Sequence, residues 1–196
     1  MILVFDTETT GMIDKGKPLD DDSQPRIVQL GAILAEDDGS AVTEIRDVYI
    51  RPVGWKTKPG AEDVHGISDK VANRYGISEI AALGLLVGLS TNVKRIIGHG
   101  VEFDRDIIVS ALMRLGKSAE LLRRPRLQWC CTMKGTTEIC GIESSHVHGT
   151  SKWPTLSEAH KHIFGAERDT EHSAFADARA ALQIYLWLVE NGYQEE

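Results

Sequence analysis

The sequence has too few cysteines to hold itself together by cross-links. Three are present, two of them adjacent at Cys130 and Cys131, which cannot make a disulfide framework, so an intracellular, cytoplasmic location is the expectation. No run of about 18 apolar residues occurs, and neither a membrane-spanning helix nor a membrane partner is expected. The opening MILVF carries no basic leader and passes straight into Asp6, which reads as a buried strand and not as a signal peptide. Positive charge is also short, with 22 Lys and Arg against 29 Asp and Glu and a net charge of −7. A protein that coats long stretches of nucleic acid needs a basic face that releases counterions. That class is disfavoured, whereas an enzyme that grips a few phosphates through bound metal is not.

What is present is the composition of an ordinary globular chain, 42% hydrophobic and 26% charged over 196 residues. A chain of this length fits one domain, 1–196, and can bury roughly 70% of its unfolded surface. Ile2 to Phe5 is an apolar run of strand length. Residues 11–25 gather Gly, Pro and three consecutive aspartates, the chemistry of a loop. Ile27 to Ala35 and Val42 to Arg51 read as two strands joined across Glu36–Ser40, a hairpin. Ser78 to Leu89 is helical in pattern, Arg95 to Gly98 is a short strand, Asp104 to Leu115 a helix and Leu127 to Cys131 a strand. Residues 134–154 show little periodicity and read as a long loop. Thr155 to Phe164 and Ala174 to Val189 are helices, the second with an apolar stripe. Strands in a meander followed by strands alternating with helices give an α/β fold, a mixed five-stranded sheet flanked by helices.

The chemistry concentrates in a few acids. Asp6 and Glu8 follow a buried strand, where residues two apart face the same way about 6.6 Å apart, at the carboxyl end at which open α/β sheets bind ligands. A solvated strand end is the plainer alternative. Asp104 beside Phe103 reads alone as a helix N-cap. Asp177 lies inside the last helix among Ala176, Ala178 and Ala180, where packing does not account for a carboxylate. Four carboxylates from separate segments suit hard cations such as Mg²⁺ or Mn²⁺, and a pair of such ions about 4 Å apart serves in-line phosphodiester cleavage. His172 is either a structural histidine or a general base. One continuous helix over 172–177 would turn the two side chains about 140° apart at ~100° per residue. As a base, His172 is therefore expected outside that helix.

Three runs, DTETTGM at 6–12, HGVEFD at 99–104 and HSAFADA at 172–178, resemble in order and type the exonuclease motifs of the DEDDh family of 3′–5′ exonucleases, most of all its epsilon-type proofreading subunits. The resemblance implies a ribonuclease-H-like fold and release of nucleoside 5′-monophosphates from a nucleic-acid 3′ end, with single-stranded DNA the preferred substrate. It implies two Mg²⁺ ions, for which Mn²⁺ can substitute, held by the matches at Asp6, Glu8, Asp104 and Asp177, with Asp6 bridging and Asp104 acting largely through water. His172 matches the general base. Thr9, Thr10, Gly11 and Phe103 match positions that cradle the terminal nucleotide, and Met12 and His65 match positions that pack against it. Two departures stand out. Gly100 stands where epsilon-type chains have Asn, and the chain ends soon after its last helix, with no polymerase-binding tail. A stand-alone exonuclease, monomer or homodimer, is the expectation.

Other readings stay open. An exoribonuclease or oligoribonuclease would use the same chemistry. A catalytically dead nucleic-acid-binding module would keep the fold, though a scaffold has no use for a costly cluster of like charges. Cys131, Cys140, His146 and His148 form a series that could hold zinc in an interaction protein, but its first gap is too long for a usual zinc knuckle. Trp153-Pro154 reads as a helix entry with an aromatic staple. Lys117, Arg123, Arg124 and Arg126 read as a solvated basic face with a secondary steering role as the alternative.

Overall fold

The computed structural model describes residues 1–145, 149–168 and 172–193. Its sheet is built from β1 (Ile2–Thr9), β2 (Ile27–Ala35), β3 (Ala41–Tyr49), β4 (Arg95–Gly98) and β5 (Gln128–Cys131), in the order β3-β2-β1-β4-β5. The first three strands pair antiparallel, whereas β4 runs parallel to β1 and β5 parallel to β4. The sheet is therefore mixed, as the sequence pattern predicts. All nine residues of β2 are buried, which matches its continuous apolar run and its place under helices on both faces.

The helices are α1 (Pro59–His65), α2 (Asp69–Tyr75), α3 (Glu79–Ser90), α4 (Val101–Arg114), α5 (Thr132–Cys140), α6 (Leu156–Phe164) and α7 (Ala174–Glu190). One core joins β1, β2 and β4 to α3 and α4 through Leu3, Phe5, Leu30, Leu83, Ile96 and Ile107. On the opposite face Val4, Ile33 and Ile97 pack against Ala178, Ala181 and Tyr185 of α7. None of the described helices is long and apolar enough to cross a membrane.

The structure corrects the expected loop over 134–154, because α5 occupies its first part. Glycine and threonines make TMKGTTEIC a poor helix by propensity. Its threonines answer their own polarity, with the Thr136 hydroxyl donating to the Thr132 carbonyl (2.7 Å) and the Thr137 hydroxyl to that of Met133 (2.8 Å). Gly135 lets α5 close on its neighbours, since a Cβ there would stand 2.9 Å from Leu188 and 3.0 Å from Tyr193. Beyond it, Glu143 and Ser151 form an antiparallel bridge. His146 and His148 of the possible zinc series lie outside the described residues. Two further boundaries move. β1 continues through Asp6 and Glu8 to Thr9, and α4 begins at Val101 because Gly100, at φ 86°, supplies the left-handed turn that opens it.

Candidate active site

Only Ile2, Leu3 and Val4 of β1 pair with β4. Past Val4 the two parallel strands part, and a crevice opens at their carboxyl ends, where the sequence places its acids. The Thr7 amide, without a β4 partner, donates instead to Asp104 Oδ1 at 3.0 Å, and the Thr7 hydroxyl donates to the same oxygen at 2.7 Å. Asp104 is thereby fixed in the first turn of α4, buried, with its carboxylate across the crevice. It is not the helix cap, a role that falls to Gly100.

Asp177 is brought in by a glycine that its own neighbourhood does not advertise. Gly31 is the β2 residue opposite Asp6, and a Cβ on it would stand 2.2 Å from the Phe175 nitrogen and 2.3 Å from the Ala174 carbonyl carbon. The bare backbone there is where the first turn of α7 touches the sheet. Gln29 and Asp47 then hold that turn. Gln29 Oε1 accepts from the Ala174 amide (2.9 Å), and Asp47 Oδ1 accepts from the Ser173 hydroxyl (2.9 Å) and the Phe175 amide (3.0 Å). His172 lies outside the helix, as the angular argument requires, with a left-handed backbone at φ 58°. Ligand atoms of Glu8, His172 and Asp177 lie within 4.8 Å of one another. With Asp6, Thr7 and Asp104 they line a cavity of about 680 Å³.

Enclosing so many acids raises their pKa values. Burial is the largest cause at each. Asp6 is held well above the usual carboxylate range by burial and then by the charges of Asp104, Asp177 and Glu8, against which Arg168 acts. Glu8 is pushed up to about 7 by burial and by Asp177 and Asp104. Asp104 is raised to about 7 by burial although both Thr7 hydrogen bonds favour its charged form. Such a cavity is short of positive charge. Arg168 supplies some, since its guanidinium pairs with Asp177, with 6% and 14% of the two side chains exposed. A hard divalent cation fits the same oxygen-rich donor set.

Of the residues matched to the terminal nucleotide, Met12 and Phe103 line the cavity. Thr9, Thr10, Gly11 and His65 do not. The Thr9 hydroxyl donates to the Gly11 carbonyl (2.8 Å), and the Thr10 hydroxyl accepts from the Arg26 amide (2.9 Å), so both shape the turn after β1. His65 is buried, its Nδ1 accepting from the Ile67 amide at 3.0 Å, and its pKa is lowered by burial and by neighbouring His172. Gly100 forms part of the cavity wall.

Sequence reasoning missed Thr7, Gly31 and Asp47, which act through partners far along the chain, and Arg168, which pairs with Asp177 nine residues on. His99 could have been found from its place in HGVEFD. Its Nδ1 meets the Thr132 hydroxyl and its Nε2 the Pro154 carbonyl, both at 3.0 Å, and burial lowers its pKa to about 4. Trp153 is no staple, for it is 65% exposed on the cavity wall. Arg124 leaves the basic face, its guanidinium being spent on the carbonyls of Leu121, Ser90 and Val93.

A family model described as Exonuclease (RNase_T) matches residues 3–185. No curated protein matches the chain by sequence. Solved structures do match by fold. The zinc-bound form of an E. coli ExoI–ssDNA complex superposes with TM-score 0.77 at 21% identity, covering 97% of this chain and 40% of that one. E. coli exonuclease I in complex with a dT13 oligonucleotide gives TM-score 0.77 at 21% identity, over 95% and 40%. A product-bound exonuclease I gives TM-score 0.77 at 21% identity, over 97% and 43%. The chain spans about 40% of the length of these proteins.

Proposed function

Because the chain belongs to the exonuclease family whose model matches residues 3–185, we propose that it removes nucleotides one at a time from the 3′ end of single-stranded DNA. The observation that carries this reading is the convergence of Asp6, Glu8, Asp104, Asp177 and His172 on one cavity at the carboxyl ends of β1 and β4. Single-stranded DNA is what the exonuclease I structures hold, and it is carried to this chain as part of the proposal.

Asp6, Glu8, Asp104 and Asp177 would hold two Mg²⁺ ions, with Mn²⁺ able to replace them. When bound, the cations supply positive charge against the phosphate oxygens and acidify water. His172 takes the proton of the attacking water. The water oxygen bonds to phosphorus, the bond from phosphorus to the penultimate 3′ oxygen breaks, and a nucleoside 5′-monophosphate leaves. The shortened strand's 3′ oxygen regains a proton from solvent. Thr7 keeps Asp104 turned into the site, and Gln29 with Asp47 keeps the His172–Asp177 turn seated over Asp6. Met12 and Phe103 offer apolar surface to the terminal nucleotide.

The test is incubation of end-labelled single-stranded DNA, duplex DNA and RNA with Mg²⁺. A ladder shortening from the 3′ end of single-stranded DNA, with 5′-mononucleotide product, is expected. Faster trimming of RNA would move the assignment to an exoribonuclease, and no product from any strand would leave the binding module.

A further inference from the structure

Trp153 combines a rigid backbone with an exposed ring. The Lys152 amide donates to the Ile142 carbonyl at 2.8 Å, and the Pro154 carbonyl accepts from His99 Nε2 at 3.0 Å. Thr155 then caps α6 through a reciprocal capping box with Glu158. Chain on both sides of Trp153 is thus anchored, on one side to the histidine that opens HGVEFD, yet the indole is 65% exposed. A large aromatic so placed leaves apolar surface in water, and packing elsewhere in the protein does not require it. Its surroundings give it a use. It lines the same cavity as the acids, together with Phe103 and with Met12, which is 79% exposed.

We propose that Trp153 is a stacking platform for a nucleobase in the last two nucleotides of the bound strand, an inference that rests on the exonuclease reading above. An indole held in place loses little entropy when a flat ring lies on it. Every base has a π face, so the platform accepts all four without hydrogen-bond readout. It favours unpaired strands, because a base in a duplex end is held by its pairing partner and by the stack beneath it and must leave both to lie on the indole. The preference for single strands then has a structural source in a residue remote from the acids in sequence.

The experiment compares wild type, Trp153→Ala and Trp153→Phe on single-stranded DNA carrying either normal bases or an abasic nucleotide at the last or penultimate position. On normal strands Trp153→Ala is expected to raise KM roughly 5- to 150-fold, the range for loss of one stacked base, with the effect falling on KM rather than kcat. Trp153→Phe should recover most of it. On the strand abasic at the stacked position, wild type and Trp153→Ala should converge. Equal losses on normal and abasic strands, or a loss confined to kcat, would overturn the proposal. Fluorescence anisotropy with labelled strands, in a Glu8→Gln background that does not cleave, separates the two readings. Base-dependent weakening by Trp153→Ala in a protein whose wild type cleaves nothing would retain the platform and reject the exonuclease. Cleavage by wild type with no base-dependent weakening would do the reverse. Because the ring is exposed, the melting temperature of Trp153→Ala should match wild type.

Discussion

The two halves of β1 lie on one strand and obey opposite rules. Ile2 to Phe5 is buried throughout and joined to strands on both sides up to Val4, so every side chain removes apolar surface from water. From Asp6 to Thr9 the strand keeps β2 but loses β4, and its acids share one cavity with Asp104 and Asp177. The first half stabilises the fold, while the second stores like charge that the fold must hold in place. A site of this kind costs stability in the chain without metal, and its rigidity is borrowed from the half next to it.

Truncation in each half should separate these roles most widely. Glu8→Ala is expected to reduce cleavage to background while the circular dichroism spectrum stays native, and to raise the stability of the chelated protein by relieving repulsion. Phe5→Ala, which removes a fully buried ring that meets Trp129 edge-on at 6.2 Å, should cost about 3–5 kcal/mol in denaturant unfolding. Its folded fraction should still cleave. Near-normal turnover by Glu8→Ala with saturating Mg²⁺ would dismiss the assignment of the acids.

His172→Ala should lower kcat by roughly two to four orders of magnitude, the range for a general base. Mn²⁺ affinity should change far less, and added imidazole should restore part of the rate. If the variant kept its rate, His172 would revert to a structural histidine.

The stored charge should also be visible as a pH dependence. Glu8 titrates near 7 in the folded, metal-free chain against 4.5 for the free group. With the folded value raised, stability is fully present at low pH and is lost as pH rises toward and through 7. Between pH 5 and 8 the chelated wild type should therefore lose roughly 2–3 kcal/mol relative to Glu8→Gln, as a shift of this size implies at ~1.4 kcal/mol per unit. Urea melts of both proteins in chelator at the two pH values measure the difference. A gap independent of pH would mean that the acids are better solvated than the cavity indicates.

Much of this is legible in the sequence, and the reason is local. β2 and β4 run between the residues that the apolar pattern predicts, and α7 starts at Ala174 as its stripe does. Asp6, Glu8, Asp104, His172 and Asp177 stand in short runs whose residues and order carry the resemblance. What was not legible depends on partners far along the chain. Nothing beside Gly31 says that Ala174 and Phe175 will rest on it, and nothing beside Thr7 says that Asp104 lies across the crevice. α5 is hidden because glycine and threonines make its sequence a poor helix by propensity, and Trp153 departs from the staple reading because an aromatic before a helix is more often packed than displayed.

Arg168 offers the finest test of the contrast, because it brings positive charge to the acidic half from the chain itself. Its guanidinium pairs with Asp177, both side chains almost wholly buried, and its field opposes the rise in the Asp6 pKa. A cation that ligates Asp177 has to share or displace this partner, so the pair stabilises the metal-free chain more than the metal-loaded one. Removing the guanidinium leaves a buried carboxylate less well compensated, a change that destabilises folded protein most when nothing else neutralises it. Arg168→Met should therefore lower the melting temperature in chelator and raise Mn²⁺ affinity by about tenfold, ~1.4 kcal/mol, with Arg168→Lys between the two. Titration calorimetry with Mn²⁺ reads the affinity without any cleavage. In an Asp177→Ala background the gain should vanish, because the competition is for that carboxylate. An Arg168→Met protein destabilised equally with and without metal, its Mn²⁺ affinity unmoved, would make Arg168 a plain structural cation and the acidic half of β1 independent of it.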